Sequence, residues 1–196
     1  MGHAHMPDIL ETRRLLLEPW HERHIEEFIR LTADGQVMRH VSRGVPWSRA
    51  EAALRFRRMM DHWQEHDFGW RSAIEKATSA WVGVIALNYL GRGVQGVDES
   101  EIEIGWWLRA AAWHRGLGTE GGQAACDEAF GQLGAPRIIA RCRPENTPSL
   151  RVMQKLGMAP WMRVTGRYGE VLSVYAIDRA TWLHSPPVSS REGSLR

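Results

Sequence analysis

"WHRGLGTEGG", Trp113 to Gly122, is the stretch on which the fold turns. Gly116, Gly118 and Gly121 spell G-x-G-x-x-G, a spacing that leads a tight turn into a helix whose first amides face a phosphate. Several folds use that device, so the flanking sequence must decide between them. In a dinucleotide-binding fold the first glycine comes straight off a strand, and an acidic residue about 20 positions on holds the ribose. Here seven residues, Arg109 to Arg115, separate Leu108 from Gly116, and the position about 20 beyond Gly121 is the basic Arg141. An arginine can serve a 2′-phosphate, so an NADP site is weakened rather than removed. A P-loop is excluded, because no Gly-Lys-Ser/Thr follows. A helix start with no ligand is the plain alternative. Otherwise the amides from His114 or Arg115 through Leu117 and Gly118 to Thr119 face an anion at the positive end of the helix, with His114 and Arg115 adding charge.

Upstream, "EIEIGWWL" (Glu101 to Leu108) alternates Ile102, Ile104, Trp106 and Leu108 with Glu101, Glu103, Gly105 and Trp107, the period of a strand. Before it, Arg14–Trp20 reads as a strand, His21–Leu31 and Arg49–Trp63 as amphipathic helices, and Phe68–Glu75 with Ala80–Leu90 as an antiparallel pair. After it come a helix from about Leu117 to Phe130, a strand Arg137–Arg143, and a short helix that Asn146 or Thr147 caps and Gly157 ends. Two strands, about Met158 to Thr165 and Val171 to Ile177, close the domain. This order predicts an α+β domain, a mixed sheet with helices on both sides.

The 196 residues, 43% hydrophobic and 24% charged, suit one domain with a sizeable core. A net charge of +2, with no basic block, fits an anionic small ligand and argues against a nucleic-acid-binding module. Cys126 and Cys142 lack C-x-x-C spacing and read as small buried hydrophobes, so neither a metal nor a disulfide is expected. No apolar run spans a membrane and no signal-peptide pattern opens the chain, which points to a cytoplasmic protein. Residues 1–6 ("MGHAHM") read as a ragged start, residues 7–184 as the domain, and the Pro/Ser/Arg-rich residues 185–196 as a disordered tail.

The run "EIGWWLRAAAWHRGLGTEGGQAACDEAF…RIIARCRPENTPSLRVMQKLGM" resembles the acetyl-CoA-binding core of the GNAT superfamily of N-acetyltransferases, and is most similar to its RimJ/RimL-like branch. "ETRRLLLEPW" and "VLSVYAIDRATW" extend the resemblance over most of the chain. Trp113 stands where the superfamily's phosphate loop usually has Gln or Arg, a substitution common in that branch. The resemblance implies a mostly antiparallel sheet of seven strands with four helices, splayed between the fourth strand (Glu101 to Leu108) and the fifth (Arg137 to Arg143). Acetyl-CoA lies in the splay as co-substrate. Its pantetheine arm bonds the backbone of Trp106, Trp107 and Leu108, its pyrophosphate sits on His114 to Thr119, Asn146 contacts the arm, and Arg151 or Lys155 meets the ribose phosphate.

Acetyl transfer needs a neutral amine, a stabilised oxyanion and a proton for the departing thiolate. Glu103, just before the splay, is the expected base, with Glu101 the lesser candidate. Many GNAT enzymes carry a tyrosine acid seven residues after the motif's asparagine; Met153 stands there, and Ser149 is the expected donor in its place. The superfamily's acceptor pocket involves the loop between the first two helices, here "VSRGVPW", which offers Trp47 and Arg43. The acceptor is then a protein N-terminus or a small-molecule amine, with no nucleic-acid or membrane partner, and a homodimer is compatible. Two other readings stay open, a longer acyl donor and a non-catalytic acyl-CoA sensor.

Overall fold

A computed structural model describes residues 9–91, 94 and 96–184, so the ragged start and the tail lie outside the described residues. Its centre is an eight-stranded sheet: β1 (Leu10–Glu11), β2 (Leu15–Pro19), β3 (Arg71–Glu75), β4 (Ala80–Tyr89), β5 (Ile102–Leu108), β6 (Arg137–Cys142), β7 (Ala159–Thr165) and β8 (Val171–Asp178), in the order β1-β2-β3-β4-β5-β6-β8-β7. Every neighbouring pair is antiparallel except β5 and β6. The extra strand over the seven expected is the two-residue β1, too short to carry a period.

Among the described residues six α-helices flank the sheet: α1 (Ile25–Thr32), α2 (Gly35–Met38), α3 (Arg49–His66), α4 (Leu117–Gly131), α5 (Thr147–Lys155) and α6 (Arg179–His184). Four correspond to those expected. The short α2 and α6 were not legible as helices, because one turn shows no amphipathic repeat. α3 runs one turn further than its apolar pattern and stops at Asp67, in the left-handed region at φ 59°. Phe68, Gly69 and Trp70 precede β3 rather than belonging to it.

Strand alternation builds three apolar clusters among the described residues, the smallest around Ile139, Val164, Leu172 and Val174. On β5, Ile102, Ile104 and Leu108 enter a cluster with α4, α5 and α6, while Trp107 turns to the opposite face. There it stacks on Phe28 at 6.3 Å within an aromatic group that includes Trp20, Trp47, Phe56 and Trp70. α4 is tied to the sheet by a buried ion pair: Arg71 Nη2 and Nε lie 2.6 and 3.1 Å from the two oxygens of Glu128. The side chains are 2% and 0% exposed, so removing either partner would strand a buried charge.

β5 and β6 stay in register only at Ile102↔Ile138 and Glu103↔Ile139. Beyond those pairs they part.

Candidate active site

A cavity of about 730 Å³ opens where β5 and β6 separate. Its walls are β5 from Ile104 to Leu108, the loop into α4, the end of β6, one side of α5 from Pro148 to Lys155, and Gln36, Val37, Arg39, His40 and Val41 at and after α2. No aspartate or glutamate is among the lining residues.

The loop is shaped for close approach of an anion. His114 (φ 57°) and Gly116 (φ 76°) are both left-handed, and Gly116 is the N-cap of α4 with no side chain to satisfy the helix amides. A non-glycine residue held there costs roughly 1–3 kcal/mol, a strain associated with binding sites. The three motif glycines do different work. A Cβ on Gly116 would face the Arg14 guanidinium at 3.3 Å, so its smallness serves the turn rather than an anion. A Cβ on Gly118 would find only ordinary contacts, 3.7 Å from Trp106 and Leu108. A Cβ on Gly121 would lie 2.5 Å from Ile85 Cδ1, so this glycine lets α4 press onto β4.

The segment before β2 buttresses the loop. The Thr12 hydroxyl and the Arg14 amide donate to Glu120 Oε1 (both 2.7 Å), Arg14 Nε donates to Glu120 Oε2 (2.6 Å), and Arg14 Nη1 donates to the Arg115 carbonyl (2.7 Å). Partial burial pushes the Glu120 carboxyl up, but these donors outweigh it and hold it below its ordinary value. The Arg115 side chain pairs with Glu75, and Arg115 is not among the residues that line the cavity, unlike its neighbours His114 and Gly116.

Across the cavity, Asn146 caps α5, its side-chain oxygen accepting from the Ser149 amide at 3.3 Å. Trp106 Nε1 reaches over from β5 and donates to Ser149 Oγ at 3.0 Å. Because that hydroxyl accepts from the indole, its own proton is left to donate elsewhere. Trp106, Trp107, Leu108, His114, Gly116, Leu117, Gly118, Thr119, Asn146, Ser149, Arg151 and Lys155 all line the cavity, as does the buried Met153. So does Cys142, whose thiol burial pushes up to about 11.

The remaining candidates stand outside it. Glu103 is held by Arg141, with Nε 2.6 Å from one oxygen and Nη2 3.3 Å from the other; Arg141 lines the cavity and Glu103 does not. Glu101 pairs with Arg137. Trp47 is buried in the aromatic group, edge-on to Trp107 at 5.6 Å with Arg55 over its ring. Arg43 lies over the Tyr168 ring at 5.3 Å, and the Tyr168 hydroxyl accepts from Arg55 at 3.0 Å, which fastens the loop after α2 to the β7–β8 turn. Sequence reasoning missed His40, on that same loop and lining the cavity. Burial, with Arg39 and Arg143 nearby, pushes its imidazole below the ordinary histidine value.

Residues 14–159 match the protein family described as "Acetyltransferase (GNAT) domain". The chain belongs to this family. Its GNAT fold recurs in the crystal structure of the acetyltransferase (GNAT family) from Bacillus anthracis, with 26% identity and a TM-score of 0.72 over 88% of this chain and 99% of that one. The uncharacterized N-acetyltransferase YnaD of Bacillus subtilis is 28% identical over 150 residues, covering 76% of this chain and 81% of that protein. The ribosomal alpha-N-protein acetyltransferase RimL in complex with coenzyme A shares the fold at 15% identity and a TM-score of 0.68, over 87% and 97% of the two chains. The GNAT chain is therefore an acetyltransferase. Among its described residues no helix is long and apolar enough to cross a membrane.

Proposed function

We propose that this GNAT enzyme moves an acetyl group from acetyl-CoA to a primary amine, a protein N-terminus or a small-molecule amine, by direct attack in a ternary complex. The observation that carries this reading is the gap beyond Glu103↔Ile139, an unpaired strand edge that ends at a helix N-terminus. A pantetheine arm adds to such an edge as a strand would, and its pyrophosphate then meets the amides of residues 114–119. Asn146, whose side-chain oxygen caps α5, lines the cavity where the arm would run, and Arg151 and Lys155, which line it too, suit the ribose phosphate.

In the reaction the amine nitrogen bonds to the thioester carbon, the carbonyl oxygen gains negative charge, and the C–S bond then breaks. Amides on the open edge of β5 suit the oxyanion. Ser149, oriented by Trp106, supplies the thiolate's proton in place of the tyrosine that Met153 replaces. The RimJ/RimL-like branch remains part of this reading, and RimL, an alpha-N-protein acetyltransferase, is the reason to include protein N-termini among the acceptors tried. The test is thiol release from acetyl-CoA with a panel of N-terminal peptides, amino acids and small amines. Release should depend on the amine. CoA binding with no release in any mixture would contradict an enzyme and favour a sensor.

A further inference from the structure

We propose that His40 takes the proton from the acceptor amine. The inference rests on the transferase reading above and names a residue that reading lacks. A GNAT site must remove a proton from nitrogen as the C–N bond forms, yet among the described residues no carboxylate lines this cavity. Glu103, the nearest by sequence logic, has its oxygens on Arg141, and Arg141 stands on the cavity side of the pair.

His40 meets the requirement. It lies on the loop after α2, half-buried, and its ring makes no hydrogen bond to another described residue. It shares the cavity with Ser149 and the β5 edge at Trp106 and Trp107. The charged groups around it are Arg39 on its own loop, Arg143 and Glu145 just beyond β6, and, on the cavity wall, Arg141 already paired with Glu103. Burial acts most strongly on its proton, two arginines oppose protonation, and one glutamate favours it. The net effect lowers the imidazole below its ordinary value, which favours the neutral form that can accept a proton. His114 is the other described histidine of the cavity, but it lies two residues before the N-cap of α4, in the loop assigned above to the pyrophosphate.

The protons balance. The amine loses one to an imidazole nitrogen of His40 as the C–N bond forms, the thiolate gains one from Ser149 as the C–S bond breaks, and solvent carries the proton from His40 back to Ser149. The products are an amide and free CoA thiol.

The experiment measures kcat/KM against pH for wild type, His40→Gln, His40→Ala and Glu103→Gln, using the amine that gives the fastest thiol release, with CoA Kd as the check on folding. At neutral pH, His40→Gln should lose roughly 100-fold, the low end of what general base catalysis contributes, with CoA Kd unchanged. Its acid limb should move to higher pH, where free amine is supplied by solvent. Added imidazole should restore part of the His40→Ala rate. Wild-type rates in His40→Gln, the alkaline shift appearing in Glu103→Gln instead, or a CoA-binding His40→Ala protein that imidazole cannot rescue would each overturn the proposal alone. A wild type that binds CoA and releases no thiol with any amine would overturn the transferase reading, and this inference with it.

Discussion

The indole of Trp106 sets the orientation of the Ser149 hydroxyl, the group proposed to protonate the thiolate. With Trp106 Nε1 donating to Ser149 Oγ and Asn146 accepting from the Ser149 amide, Ser149 is fixed at both its backbone and its side chain. If Ser149 delivers the proton, Ser149→Ala should lower kcat by roughly 10- to 100-fold, at or below the usual range for acid catalysis, because a CoA thiolate leaves readily. Trp106→Phe should lower kcat by a smaller factor, since the hydroxyl survives without its orienting donor. Steady-state kinetics on both variants check this, and a Ser149→Ala enzyme with unchanged kcat would remove the serine from the mechanism. At this scale the sequence was a partial guide. Asn146 was legible as a helix cap, whereas its contact with the cofactor and the role of Ser149 were expected only from the family resemblance. The Glu103–Arg141 pair and the buttress of Arg14 on Glu120 were not legible, because each joins positions far apart in the chain. His40 was passed over because a histidine in a loop has no periodicity to announce it.

Within α4, the three motif glycines separate the demands of packing from those of binding. Gly121 meets Ile85, which is 1% exposed and has little room to yield, so Gly121→Ala should destabilise by about 1–3 kcal/mol through overpacking. Gly118→Ala adds a methyl at ordinary contact distance and should leave stability unchanged or raise it by up to about 1 kcal/mol, the helix propensity difference. Urea unfolding of the two variants compares them directly. If Gly121→Ala proves the more stable, the close approach of α4 to β4 is not what that glycine provides. For the ligand, Gly118→Val should raise the KM for acetyl-CoA, because branched carbons there extend into the cavity wall. An unchanged KM would place the pyrophosphate elsewhere. At the scale of elements the strand period of "EIEIGWWL" and the apolar spacing of α1 and α3 were readable, since each repeats several times. β1, α2 and α6 are too short to repeat, and tertiary contacts rather than local pattern define them.

For the molecule as a whole, the sheet is held as two halves that meet at only two registered pairs, Ile102↔Ile138 and Glu103↔Ile139, with separate cores on either face. The parting of β5 and β6 was expected only from family resemblance; no residue in either strand marks where pairing stops. The glycine motif alone left a dinucleotide, another phosphate and an empty helix start all in play; the order of elements around it weakened the dinucleotide, and only the family resemblance pointed to CoA. The most direct test of the account is thermal unfolding of the protein with acetyl-CoA, CoA, NADH or NADPH. A ligand that binds only the native state adds about 2.7 kcal/mol at one hundred times its Kd. Acetyl-CoA and CoA should both raise the Tm, and the nicotinamide dinucleotides should leave it where it is. A rise with NADPH and none with CoA would contradict the account.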